Sequence, residues 1–230
     1  SKRVVLASLH SLTTSVTPSF IEKVQKHDSD IYISLRSANM DECFSLLLSR
    51  QADIAFVYLI PQNELLIDAA NLQSTPVGME RFIPVIANTQ KKYLTDQIER
   101  GALPLIAYPS RVFLGKVMAR HIIPQLHDIK YVMPKAETAL TLAALELAML
   151  GIGVCWVPAS LAKSRIEDGK LADLSDILPS CELCVTAVRV LGKMTPVATE
   201  VWERLQDWAG SQIENGSATS SANDASQSWA

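Results

Sequence analysis

Residues 4–24 read VVLASLHSLTTSVTPSFIEKV and decide the fold. The first four residues are all apolar, which is typical of a buried strand. The hydroxyl-rich turn after them offers several helix N-caps, and Phe20, Ile21 and Val24 then recur at helical spacing. A strand that runs directly into a polar helix start presents free backbone N–H groups, which suit an anionic ligand. The same pattern is also typical of an ordinary capped helix.

The composition describes a globular protein of one large domain or two small ones. The chain has 230 residues, of which 48% are hydrophobic and 20% charged. Its formal net charge of −3 gives no reason to expect nucleic acid or an anionic membrane as a partner. No apolar run is long enough to span a bilayer, and the start lacks a signal-peptide pattern. The four cysteines are too few for a disulfide scaffold, so we expect a cytoplasmic protein.

The strand–helix alternation of residues 4–24 continues and then restarts. Strands at 4–7, 31–36 and 54–60, with helices at 20–24 and 40–48, predict a βαβαβ unit with a parallel sheet. A second series begins at residue 82. Its predicted strands are 82–87, 103–108, 131–133 and 153–158, and its predicted helices are 95–100, 112–123, 137–150 and 161–168. A last strand at 183–188 and a last helix at 196–208 complete the chain.

Two such series predict an α/β protein with two Rossmann-like lobes joined by two crossover strands. Lobe I would comprise residues 1–77 plus 182–210, and lobe II residues 80–180. Residues 211–230 are mostly Ser, Ala, Asn and Gln, and we expect a disordered tail there. Open α/β sheets bind ligands at the carboxyl ends of their strands, so the predicted binding site is a cleft between the lobes.

Four segments together resemble a known family. They are Ser8-Leu9-His10-Ser11-Leu12, Asp41-Glu42-Cys43-Phe44-Ser45-Leu46-Leu47, Gln51-Ala52-Asp53-Ile54-Ala55-Phe56 and Gly151-Ile152-Gly153-Val154-Cys155-Trp156-Val157-Pro158. In this order they are similar to the effector-binding domain of LysR-type transcriptional regulators, over residues 4–209. The resemblance implies the type 2 periplasmic-binding-protein fold, with two α/β lobes and two crossing strands.

Within that family, three segments are most similar to the branch that responds to hypochlorous acid. They are His10-Ser11-Leu12, Pro109-Ser110-Arg111 and Met194-Thr195-Pro196-Val197-Ala198. The branch is associated with methionine oxidation, but Leu114 stands where a methionine would be expected. Met118 and Met133 remain, although methionines at such positions commonly fill a core.

The resemblance also implies partners. LysR-type regulators normally begin with a winged helix-turn-helix and a linker helix, and no stretch here has a helix-turn-helix pattern with a basic recognition helix. We therefore expect a regulatory fragment that acts on DNA only through a domain outside it. The family implies a homodimer or homotetramer, with lobes paired antiparallel through the first helix of lobe I and the 112–123 helix of lobe II.

The predicted effector site collects residues at the ends of elements, among them a helix start expected at residues 133–138. Helix starts favour an anion, and Arg111 could hold a carboxylate in bidentate fashion, so the expected ligand is a small, anionic effector. Arg111 is also compatible with a solvated surface arginine, and His10 with a simple polar cap or a pH-sensitive group. The predicted ligand-binding residues are Ser8, His10, Ser11, Thr13, Tyr58, Ser110, Arg111, Met133 and Thr138.

Enzymatic chemistry finds no support in the sequence. Gly-x-Ser-x-Gly, Walker-type and His-Glu-x-x-His patterns are all missing, so we predict no catalytic residues and no cofactor. Cys181 and Cys184 have Cys-x-x-Cys spacing, but they enter a strand, and no second pair would complete a metal site. Cys43 and Cys155 are expected to be small core hydrophobes. Two alternatives stay open: an oxidant sensor of the same family, and a periplasmic-type solute-binding protein.

Overall fold

The structure is a computed structural model that describes residues 2–60 and 71–224, with side chains as far as residue 210. Its backbone contacts divide the chain into two compact units. Unit 1 comprises Ser1–Leu9, Val16–Met79 and Cys184–Ala230, and unit 2 comprises His10–Ser15 and Glu80–Leu183. The predicted lobe boundaries at 77–80 and 180–182 stay predictions.

Strands and helices alternate along the described residues. The strands are β1 Arg3–Leu9, β2 Tyr32–Ala38, β3 Ile54–Leu59, β4 Leu72–Ala87, β5 Ala102–Ala107, β6 Tyr131–Glu137, β7 Cys155–Pro158, β8 Leu171–Asp173 and β9 Cys181–Val190. The helices are α1 His10–Thr13, α2 Val16–His27, α3 Met40–Leu48, α4 Lys91–Glu99, α5 Phe113–Val117, α6 Thr141–Met149, α7 Ala159–Glu167 and α8 Pro196–Asp224. A π-helical turn at Met118–Ile122 and a 3₁₀ turn at Ile123–Gln125 follow α5, and another 3₁₀ turn at Asn88–Gln90 precedes α4.

The sheet of unit 1 is built around β1. This strand pairs in parallel with β2 on one side and with β3 on the other, and β9 pairs antiparallel with β3. The predicted βαβαβ arrangement with a parallel sheet is therefore confirmed. Helix α2 covers one face, where the ring of Phe20 lies 5.4 Å from that of Phe56. Phe20 is 1% exposed, and burying such a side chain stabilises the fold by roughly 1.5–3 kcal/mol.

Unit 2 contains both parallel and antiparallel strand pairs. Strand β5 pairs in parallel with β6, and a parallel bridge joins Leu105 to Val154, just before β7. Strand β4 pairs antiparallel with both β7 and β8. Trp156 of β7 is fully buried, and its indole N–H donates to the Pro179 carbonyl at 2.8 Å. The Tyr108 hydroxyl donates to the Trp156 carbonyl at 2.8 Å, so these polar groups are paired inside the core.

Several element bounds differ from the prediction. The helix predicted at 137–150 begins only at Thr141, because β6 extends to Glu137 alongside β5. The helix predicted at 112–123 starts as five α-helical residues and continues as the π and 3₁₀ turns. The last helix continues past the predicted end at 208 to Asp224, into the segment predicted as a disordered tail. Residues 61–70 and 225–230 lie outside the described residues.

Candidate functional site

Two of the predicted site residues lie inside unit 1. Ser8 is opposite Phe56 in the register of β1 and β3, so Tyr58, two residues farther along β3, faces the same side of the sheet. Ser8 and Tyr58 are both fully buried. The Ser8 hydroxyl oxygen lies 2.8 Å from that of Thr17, at the start of α2. The structure thus uses Ser8 to join strand and helix, and a ligand role for Ser8 or Tyr58 stays a prediction.

His10, Ser11 and Thr13 lie on the one-turn helix α1, which the sequence analysis did not separate from α2. This short helix groups with unit 2, where it contacts α6. His10 is exposed and Thr13 is half-buried, whereas Ser11 is 6% exposed. The Ser15 hydroxyl donates to the Ser11 carbonyl at 2.9 Å and closes the turn. The three residues are therefore not at the start of the first long helix, as predicted, but on a separate turn before it.

Ser110, Arg111 and Thr138 lie at one edge of the β5–β6 pair. Ser110 and Arg111 are exposed in the turn that follows β5. The Thr138 backbone N–H donates to the Ala107 carbonyl at 3.0 Å, which places Thr138 beside the end of β5. Since both strands end at this edge, the geometry offers hydroxyl and guanidinium donors at the carboxyl end of a parallel pair, where α/β proteins bind ligands.

The turn that carries Ser110 and Arg111 is held by a close backbone approach. The Val112 N–H donates to the Pro109 carbonyl at 3.1 Å. A Cβ at Gly115 would lie 2.0 Å from the Pro109 carbonyl oxygen and 3.3 Å from the Ser110 Cα. Only a residue without a side chain fits there, so Gly115 sets how closely α5 approaches the turn. This residue was not among the predicted site residues, although a glycine just inside a helix start is a readable signal.

The predicted helix start at residues 133–138 is wrong. Met133 lies in the middle of β6, opposite Pro104, and is half-buried. Thr138 follows the strand, and its hydroxyl accepts a hydrogen bond from the Leu140 N–H at 3.1 Å, before α6 begins at Thr141. Thr138 therefore shares the strand edge with Ser110 and Arg111, whereas Met133 lies several residues before that edge.

Burial raises the pKa of three of the four thiols, Cys43, Cys155 and Cys181. Cys43 and Cys155 are fully buried, which confirms them as core residues. Burial raises the pKa of Cys43 to about 12 and raises the pKa of Cys155 as well. The pKa of Cys181 is raised to about 11, first by burial and then by the neighbouring Glu182 carboxylate. A thiol needs a lowered pKa to react readily near neutral pH, so these three are not poised as nucleophiles.

Metal-ligating clusters and membrane-spanning helices are both absent from the described part of the chain. Within it, no group of three or more His, Cys, Asp or Glu side chains could hold a metal ion. None of its helices combines the length and the apolar character needed to cross a membrane.

Comparison with known proteins places these elements in a family. The sequence model of the LysR substrate binding domain matches residues 1–210. The chain belongs to the LysR substrate binding domain family. This confirms the family and the two-lobed α/β periplasmic-binding-protein-like fold that the sequence predicts. The family is one of transcriptional regulators, not of enzymes.

Two curated relatives have low identity but long matches. The chain is 22% identical to the HTH-type transcriptional regulator YjiE of Escherichia coli K12 over 208 residues, or 90% of this chain and 65% of YjiE. It is 21% identical to the HTH domain-truncated transcriptional regulator QseD of Escherichia coli O157:H7, over 90% of this chain and 81% of QseD. The chain thus spans less than two thirds of the length of YjiE.

The fold is shared with the bromide-bound regulatory domain of HypT from Salmonella typhimurium. The TM-score is 0.78 at 20% identity, covering 91% of this chain and 96% of that domain. HypT is a hypochlorite-specific LysR-type transcriptional regulator. This likeness shows a shared fold, and membership of the hypochlorite-responsive branch stays a prediction.

Proposed function

We propose that this LysR substrate binding domain senses a small anionic effector and transmits its binding through a homodimer or homotetramer. DNA would be bound by a winged helix-turn-helix outside these 230 residues. The observation that carries the proposal is the carboxyl edge of β5 and β6, where Ser110 and Arg111 follow one strand and Thr138 follows the other. Arg111 is exposed there and free to turn its planar guanidinium toward a carboxylate.

The other proposed contacts come from α1. Its exposed His10 and half-buried Thr13 lie on a turn that packs against α6, and α6 begins three residues after Thr138. Hydroxyl and imidazole groups add donors around an anion without adding a second fixed charge. A cleft between the two lobes as the place of binding stays a prediction, as do Ser8, Tyr58 and Met133 as contacts.

Effector binding would act by changing the population of dimer arrangements. A ligand shifts such an equilibrium only by its difference in affinity for the two arrangements. The proposed dimer pairs the exposed face of α2 that carries Ser19, Glu22 and Gln25 with the segment α5 to Gln125 of the other copy. A change in lobe arrangement would then alter the spacing of the attached DNA-binding domains.

Native mass spectrometry of the purified chain tests this proposal. We expect a dimer or tetramer that carries additional mass, which would also give the mass of the effector. Arg111→Gln should lose the additional mass, while Arg81→Gln, at another exposed arginine of unit 2, should keep it. A monomer that binds nothing would contradict the proposal. A monomer with a bound solute would favour a solute-binding protein.

Oxidant sensing is a second candidate, favoured by the similarity in fold to HypT. The raised pKa values of Cys43 and Cys181 oppose a mechanism through these two thiols, so the proposed site of oxidation is methionine. Mild hypochlorite should then add oxygen to methionine and change the oligomer without any added ligand. An oligomer that stays unchanged after such oxidation would exclude this alternative.

A further inference from the structure

Helices α2 and α8 of unit 1 enclose a groove of about 500 Å³, a volume within the range of small-molecule sites. None of the predicted effector-site residues lines it. It combines an apolar floor with several cationic side chains. The lining residues are Phe20, Lys23, Val24, Lys26, His27, Arg204, Asp207 and Trp208.

The floor of the groove is aromatic and aliphatic. Phe20 and Val24 are each 1% exposed and belong to the core of unit 1. The ring of Trp208 lies 5.6 Å from that of Phe20, tilted by 40°. Trp208 is half-buried, so part of its indole faces outward. A floor of this kind favours an apolar, preferably planar, ligand body.

The charges around the floor are mainly positive. Lys23, Lys26 and Arg204 line the groove with one carboxylate, Asp207. Two of these cations have acidic partners outside the lining: Lys26 lies 2.6 Å from Glu22, and Arg204 lies 2.8 Å from Glu200.

Lys23 is the cation best placed to take a new partner. Its ammonium nitrogen lies 5.7 Å from the centre of the Trp208 ring, and it forms no ion pair with a carboxylate among the described side chains. The Arg204 guanidinium donates only to Glu200 within the same set of side chains. Its remaining N–H groups can therefore donate to a ligand. A carboxylate above Trp208 would therefore meet Lys23 from α2 and Arg204 from α8.

We propose that this groove is a second binding site, for a small organic anion whose planar apolar body rests on Trp208 and whose carboxylate pairs with Lys23 and Arg204. Because Glu22 and Glu200 already balance two of the cations, the net attraction is modest. We expect a dissociation constant between about 0.1 and 1 mM from two partly screened charge contacts and a partly buried ring. An inorganic anion would gain little, since it cannot use the apolar floor.

The test uses the whole chain labelled with 5-fluorotryptophan and followed by fluorine NMR. The chain has four tryptophans, and Trp208→Phe identifies the resonance in the groove. Benzoate is the probe, with benzyl alcohol as its neutral match and inorganic phosphate as an anion without an apolar body. We expect benzoate to shift the Trp208 resonance saturably, and the fully buried Trp156 resonance to stay unchanged.

Variants of the cationic side chains then measure how much their charges contribute to benzoate binding. Lys23→Gln and Arg204→Gln should each weaken benzoate binding at least fivefold, while Lys163→Gln, at an exposed lysine of unit 2, should leave it unchanged. Arg111→Gln should also leave it unchanged, which separates this site from the proposed effector site. Equal shifts with benzyl alcohol or with phosphate would overturn the proposal. A Trp208 shift that follows protein concentration and ignores benzoate would mean that a second copy covers the groove, and would also overturn it.

Discussion

The hydroxyl oxygens of Ser8 and Thr17 lie 2.8 Å apart, and both side chains are fully buried. This hydrogen bond joins β1 to the first turn of α2, the unit on which the fold is built. A buried hydroxyl that loses its partner keeps the cost of having left water. The pair therefore acts as one structural element of unit 1.

A double-mutant cycle measures this pair. Ser8→Ala alone should lower the free energy of unfolding by about 1–3 kcal/mol, because it leaves the Thr17 hydroxyl buried without its partner. Thr17→Val alone should cost less, because the Ser8 hydroxyl still donates to the Leu9 carbonyl at 3.3 Å. The double variant should cost less than the sum of the two, since no orphaned hydroxyl remains. Urea denaturation gives the three values. Strictly additive losses would mean that the bond contributes nothing, and Ser49→Ala, at an exposed serine, serves as the control.

Gly115→Ala should disturb the proposed effector site from outside it. The added Cβ would meet the Pro109 carbonyl oxygen at 2.0 Å, so the turn with Ser110 and Arg111 must move. We expect a loss of about 1–3 kcal/mol in the free energy of unfolding, together with loss of the co-purifying effector.

Gly210→Ala is the control, because a Cβ there has no atom of the described residues within 4 Å. It should leave stability unchanged or raise it by up to about 1 kcal/mol through helix propensity. Equal thermal unfolding of both variants would refute the steric argument.

Much of the fold could be predicted because the local sequence pattern of most strands and helices indicates their type. The apolar run Ile54–Leu59 and the capped helix Met40–Leu48 were readable without any tertiary information. Strand β8 was missed because its three residues become a strand only by pairing with Val85–Ala87, far away in the chain. Pairing with β5 likewise kept Glu137 in a strand, where local composition favoured a helix.

Less of the candidate site could be predicted from the sequence. Arg111 could be predicted as exposed at a strand end, because a polar turn follows an apolar run. The burial of Ser8 depends on Thr17, and nothing in the local pattern shows that the two hydroxyls meet. The groove residues Phe20, Lys23, Val24 and His27 do recur at helical spacing on α2, but their partner Trp208 lies on another helix. Local periodicity shows one wall of such a groove and not the other.

Cys43 and Cys181 should react slowly at physiological pH. With a pKa of about 11, about one Cys181 side chain in a thousand is a thiolate at pH 8. The thiolate fraction of Cys43 is smaller, because its pKa is about 12. Because the pKa is raised, reaction of Cys181 with iodoacetamide should accelerate about tenfold for each pH unit up to about pH 11. Mass spectrometry of peptides from the folded chain gives these rates, with the urea-unfolded chain as the control. Rapid alkylation of Cys181 at pH 7 would reopen the thiol-sensor alternative.

The proposed dimer can be tested at the 3₁₀ turn after α5. Ile123 is 37% exposed there, on the segment that would pair with α2 of a second copy. A glutamate at this position would place a charge in a desolvated interface, so Ile123→Glu should raise the dimer dissociation constant at least tenfold. Ile177→Glu is the matched control, since Ile177 is 47% exposed in unit 2 but lies outside the proposed interface. Sedimentation velocity over a range of concentrations measures both, and circular dichroism confirms that each variant is folded. If the two variants dimerise equally well, the pairing of α2 with the α5 segment is wrong, because a buried glutamate could not be tolerated there without a partner.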